Sequence, residues 1–213
     1  MFANASLLSR RPARPTPCLD ILPDAEQAGS GLGLALGRVH EICGPSRHRM
    51  AVWLAAQTRG TIAWIVPDWT NAQLNPCGAA PCVDPARIIM LHPNREDDAL
   101  WCAEETLRAG SVALVVVDLP GLPGLTPVRR MHLAAEAGGQ KGGAQPLGVL
   151  LTPGTGGAQG VESRWHLAPD HKGQPGAWRL SRLRARMAPE QSWQVTHSPR
   201  QNLPQISHRL EAA

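Results

Sequence analysis

The residues with the most chemistry to offer stand in the stretch EICGPSRHRMAVWLAAQ, Glu41 to Gln57. A short strand-like run meets a Gly-Pro turn, and three basic side chains open an apolar helix. Strand, glycine turn and helix N-terminus in that order form the layout of a phosphate-binding loop. There, backbone N–H groups surround the phosphate, a Lys neutralises its outer oxygens, and a Ser or Thr hydroxyl holds magnesium. Over the eight positions of G-x-x-x-x-G-K-[ST] the chain reads Gly44, Pro45, Ser46, Arg47, His48, Arg49, Met50, Ala51. Only the first glycine matches. Arg49 puts a long side chain where backbone must curl round phosphate, Met50 brings no charge, and Ala51 offers no metal ligand. Arg47 and Arg49 can reach an anion, but with a planar fork rather than the compact charge of Lys. The expectation is a degenerate loop that serves as a turn and carries no cofactor.

Asp118 ends the apolar run VALVVVD, the place where nucleotide hydrolases hold the magnesium shell through water. Without a loop hydroxyl it is half a site. Glu96, Asp97 and Asp98, with Glu104 and Glu105 behind them, could bind metal or act as a base. Acids at a helix start also answer the helix dipole, which is the preferred reading. Cys77 and Cys82 lack the second pair that a structural zinc site needs. The eight histidines are scattered singly, so no metal is expected. A basic cluster, Arg179, Arg182, Arg184 and Arg186 beside Trp178 and Lys172, suits nucleic acid or an acidic partner. A solvated edge strand guarded by arginines is the competing reading.

The elements that must position these residues follow from pattern. Apolar residues make up 43% of 213 and charged residues 18%, enough for one globular core plus tails. The formal charge of +4 is mildly basic. Five cysteines at irregular spacing suit a reducing cytoplasm, and no run of about 18 apolar residues exists to span a membrane. Residues 1–24, rich in Arg, Pro and Ser, read as a flexible arm. A core over 25–188 follows, and 189–213 reads as a disordered tail. Within the core, RVHEIC, TIAWIV, RIIML, VALVVVD and PLGVLLTP read as strands. Helices are expected over 47–59 with Ser46 or a neighbour as cap, near Ala72, over 96–109, and over 126–137 with Leu133, Ala134 and Ala137 inward. GTGGAQG (Gly154–Gly160) reads as mobile. SRWHLAP and AWRLSRLRARM read as late strands, with a helix through Leu180, Leu183 and Met187 as an alternative for the second. Strands alternating with helices, then strands in succession, give an α/β sheet with an antiparallel extension.

In that order the elements resemble the RecA-like fold, a mostly parallel sheet flanked by helices, and more closely the ImuA family of bacterial DNA-damage mutagenesis proteins. GRVHEICGP (Gly37–Pro45) is similar to the strand entering the RecA phosphate loop. EDDALWCAEETLRAGSVALVVVDL (Glu96–Leu119) is similar to the helix and strand bearing its catalytic acid and magnesium-shell Asp. That likeness sets Asp97 and Asp118 in those two places. WRLSRLRARM (Trp178–Met187) is similar to a late RecA core strand. The ImuA likeness rests on GRVHEI (Gly37–Ile42), DPARIIML (Asp84–Leu91), DALWCAEETLRAG (Asp98–Gly110) and RRMHLAAEAGG (Arg129–Gly139), supported by SRWHLAP and WRLSRLRAR. It covers about residues 31–194 and is carried by the order of these motifs, none of which is catalytic.

The resemblance implies a non-catalytic accessory role in translesion synthesis. The implied partners are an ImuB-like protein related to Y-family polymerases and an error-prone C-family DNA polymerase, with RecA and DNA as further contacts. Decayed phosphate loops are common in that family, so Arg49 and Met50 fit it. Two readings compete: a divergent nucleotide hydrolase acting on DNA through Asp97 and Asp118, and a cell-division inhibitor of the SulA type.

Overall fold

The computed structural model describes residues 17–22, 32–70, 73–142, 145–171, 175–186, 188–198 and 203–210. A two-stranded hairpin comes first, β1 (Cys18–Asp20) against β2 (Gly33–Ala35), antiparallel with Leu19 opposite Leu34. Then follow β3 (Val39–Cys43), α1 (Arg47–Gln57), β4 (Ile62–Ile65), the short α2 (Pro76–Ala79) and β5 (Ile88–Leu91). Next come α3 (Glu96–Ala109), β6 (Leu114–Asp118), α4 (Leu125–Gly142) and β7 (Leu147–Leu151). The chain closes with β8 (Ser163–Pro169), β9 (Ala177–Ala185), β10 (Gln191–Thr196) and β11 (Gln205–Leu210).

Among the described residues nine strands form one sheet, in the order β11-β10-β9-β8-β3-β7-β6-β4-β5. From β8 to β5 every neighbouring pair is parallel; from β8 to β11 every pair is antiparallel. Sequence explains the division. β3, β4, β6 and β7 are buried at every position, as expected where helices cover both faces of a parallel sheet. β8 and β10 bury alternate residues over most of their length, β9 buries Ala177, Leu180 and Arg182, and the others are half-buried or exposed.

Two apolar layers clothe the sheet. On one face α1 packs with Ile42, Trp64, Val116 and Val149, and the β1–β2 hairpin adds Ile21, Leu22, Leu32 and Leu34. Met50 to Ala55 are consequently buried without a break, so α1 is a core helix rather than an amphipathic one. On the other face α3 and α4 cover Val39, Ile65, Val115 and Val117. The two helices approach closely because Gly110, at φ +68°, and Gly138 face each other. A Cβ on Gly138 would lie 2.0 Å from the Leu107 carbonyl oxygen.

Several expectations need correction. The arm does not run free to residue 24: Cys18–Asp20 pairs into the hairpin, and Ile21 and Leu22 are each 1% exposed. The remainder of the arm, 1–16, 23 and 24, lies outside the described residues. The tail expected to be disordered from 189 supplies β10 and β11. There Trp193 and Val195 reach the core on alternate positions, a density of apolar residues too low to stand out. α4 continues through the Gly-rich stretch to Gly142, and Leu133 points to solvent at 65% exposure. The helix expected near Ala72 lies outside the described residues; the short helix seen begins at Pro76, where Asn75 caps it through Cys77 N–H. Ser46 is the N-cap of α1, but its hydroxyl makes no cap bond. Among the described residues, no helix is long and apolar enough to cross a membrane.

Candidate functional site: a closed phosphate loop

β3 is flanked by β7 and β8, while its own crossover through α1 leads past β7 and β6 to β4. Such a reversal of strand order opens a crevice at the carboxyl ends, where open α/β sheets take their ligands. Here the crevice is bounded by the Gly44–Ser46 turn, the first turn of α1, Asp118 at the end of β6 and Thr152 after β7.

The turn is shut by protein. Gly44 adopts φ +91°, and a Cβ there would meet the Leu167 carbonyl oxygen at 2.6 Å and the His166 ring at 2.8 Å. Its glycine is required by the close approach of the neighbouring strand β8. Two of the turn's donors are already bonded: Gly44 N–H donates to Gly154 O at 2.9 Å and Ser46 N–H to Leu167 O at 3.0 Å. Arg47 N–H donates to Gly44 O at 3.2 Å, and Pro45 has no N–H. Met50 and Ala51, at the positions of the motif's Lys and hydroxyl, are 1% and 0% exposed within the core.

Asp118 is buried at 4% exposure, and its charge is answered from α1. His48 Nε2 lies 2.6 Å from Oδ2, and Arg47 Nε lies 3.7 Å from Oδ1. The His48 ring and the Arg47 guanidinium thus crowd the carboxyl of Asp118. Asp97 does not join them; it is exposed in the first turn of α3 with Glu96 and Asp98, complementing that helix start. Glu104 is buried instead against Arg108 and Arg130. Among the described residues, no group of three or more His, Cys, Asp or Glu could hold a metal ion. No disulfide joins the cysteines among the described residues, and the Cys43 thiol is pushed up to about 12 by burial and then by Glu41.

Sequence reasoning missed the most completely enclosed charge of the crevice. Glu41, 0% exposed, accepts from Thr152 Oγ1 at 2.6 Å, Gly157 N–H at 2.8 Å and Ala158 N–H at 3.0 Å, and pairs with Arg164 Nε. These bonds pin the 154–160 loop, which the sequence read as mobile. Behind it, Trp165 Nε1–H donates to Ser163 Oγ, whose hydroxyl meets His40 Nδ1 at 2.7 Å, while His40 Nε2–H donates to Ala35 O at 3.0 Å. Burial holds His40 down to about 4. An ionisable residue inside a strand that enters a loop was the available signal.

The basic cluster on β9 divides. β9 lies between β8 and β10, so it is no edge strand, and it is not a helix. Arg182 is buried, with its guanidinium 5.6 Å from the Trp165 ring and 5.2 Å from the Trp193 ring, and Nε donating to Pro189 O at 2.8 Å. Burial, and then the charge of Arg209, hold its pKa below the usual value. Trp178 packs edge-on against Trp53 of α1 at 5.4 Å. Arg179, Arg184 and Arg186 face solvent, the first 3.7 Å from Asp170 and the last 3.7 Å from Glu162. Lys172 and Met187 lie outside the described side chains.

Comparison with protein-family models finds no match, and comparison with curated proteins finds none either.

Proposed function

We propose that this chain is a non-catalytic accessory protein of damage-induced translesion synthesis, of the ImuA type and built on a RecA-like core. It bridges an ImuB-like relative of Y-family polymerases and an error-prone C-family polymerase, and contacts RecA or DNA through the exposed arginines of β9. One observation carries the non-catalytic part: the loop's N–H groups are bonded to Gly154 and Leu167 carbonyls while His48 and Arg47 occupy Asp118. A nucleotide seated in the turn must displace both sets of contacts. The family part is supported by the motifs that carry the resemblance, which fall in order on β3, β5, α3 and α4. The position of β3 between β7 and β8, with the Asp118 strand one place beyond β7, supports the RecA-like reading.

Two measurements test this function. Calorimetry with millimolar ATP and magnesium is expected to give no heat; binding abolished by Asp118→Asn would favour the hydrolase instead. A pull-down from DNA-damaged cells is expected to recover the ImuB-like and polymerase partners, and failure to recover either ends the bridging role. Truncation at residue 188 is a poor probe, because it strips two strands from the sheet. Arg179→Glu with Arg184→Glu tests the surface without that damage.

A further inference from the structure

Next to the closed loop, α1 and the segment Gln73–Ala79 enclose a hollow of about 320 Å³. Its floor is apolar, made by Val52, Leu74 and Ala79; His48 and Arg49 stand at the rim, and no Asp or Glu among the described residues lines it. His48 is committed to Asp118. Arg49 is exposed and pairs with no carboxylate among the described residues, whereas Arg38, Arg47, Arg130 and Arg164 each hold one. Among the described residues, the hollow therefore joins an apolar floor to a cation that no carboxylate pairs.

We infer that this hollow is a docking socket for an acidic, apolar-anchored segment of a partner protein, with a carboxylate on Arg49 and a neighbouring aliphatic or aromatic side chain on Val52, Leu74 and Ala79. The inference rests on the reading of the chain as an interaction protein. Charge complementarity selects the acid, and burial of the anchor supplies the affinity. The volume lies at the small end of ligand pockets, about 300–1,000 Å³, which suits an anchor side chain better than a whole cofactor. A nucleic-acid backbone fits poorly, since phosphate recognition needs several cations along a track and gains nothing from an apolar floor.

The test is selection of random heptapeptides displayed on phage against the full chain, followed by titration of synthetic copies of the winners. The expected consensus pairs Asp or Glu with Leu, Ile, Phe or Trp. Arg49→Glu is expected to weaken those peptides about tenfold or more. Gly78→Leu is expected to do the same by filling the socket. A Cβ on Gly78 meets Asn75 atoms only at ordinary contact distances of 3.8–3.9 Å, so this variant tests the cavity with the fold intact, checked by circular dichroism. No consensus above a blank selection, equal binding to both variants, or displacement of the peptides by millimolar magnesium ATP overturns the socket. The bridging role stands or falls separately, on the pull-down.

Discussion

The two halves of the sheet keep charge inside the molecule by opposite means. In the parallel half a carboxylate, Glu41, is enclosed by N–H, O–H and guanidinium donors converging from the loop and from β8. In the antiparallel half the guanidinium of Arg182 lies against the Trp165 and Trp193 faces, and its Nε donates to the Pro189 carbonyl oxygen. The first arrangement is directional: each donor must sit in place, and loss of one partner strands the rest. The second is broad, since a ring face tolerates small displacements of the cation. A loop clamped by the first kind of contact is rigid; a strand held by the second can shift without large cost.

Removing the enclosed carboxylate is expected to have the largest effect. Glu41→Ala leaves the Arg164 guanidinium without its partner and should cost about 3–5 kcal/mol in urea unfolding. Combining it with Arg164→Ala should recover part of that loss, and a strictly additive double variant would break the proposed coupling. The His40 relay comes next. Its folded pKa, about 4, lies below the usual 6.5, so the unfolded chain takes up the proton first. Stability present above pH 6.5 is therefore lost as pH falls towards 4, by at most about 3 kcal/mol. Denaturation across that window should show the slope, and His40→Gln should flatten it.

Arg182→Met keeps much of the side-chain volume but removes the cation from the rings. A cost of about 1–2 kcal/mol is expected, smaller than for Glu41. If it equalled the Glu41 loss, the contrast between directional and broad enclosure would collapse. Asp118→Asn should matter least to stability, within about 1 kcal/mol, because asparagine keeps the buried side chain's shape and a hydrogen-bonding group facing His48, which is itself 36% exposed. Thermal melts of the two variants side by side give the ranking.

What could be read from the sequence tracks the same contrast. VALVVVD and PLGVLLTP announce themselves because a parallel strand covered on both faces must be apolar throughout. QSWQVT does not, since only Trp193 and Val195 turn inward and the other four residues read as loop. Asp118 was visible as a carboxylate ending an apolar run, but its partner His48 stands 70 residues away. Glu41 was harder still. In a strand written out linearly a charged residue looks like the solvent side, and Thr152 and Arg164 lie 111 and 123 residues beyond it. Local pattern shows which segments are strands; closure of a polar group depends on contacts that pattern does not encode. The arginines of β9 show the converse, because one spacing rule grouped residues that the fold sends to opposite faces.

The packing of α1 also sets an order of events during synthesis. Trp53 emerges early, yet the side chains that cover it, Trp178 at 5.4 Å and His197 at 5.7 Å, belong to the last quarter of the chain. A nascent chain halted before Trp178 has the parallel strands in hand but leaves one of its largest apolar side chains wet. The β3–α1 unit is thus sealed only after much later strands are made, and those strands act as its cover.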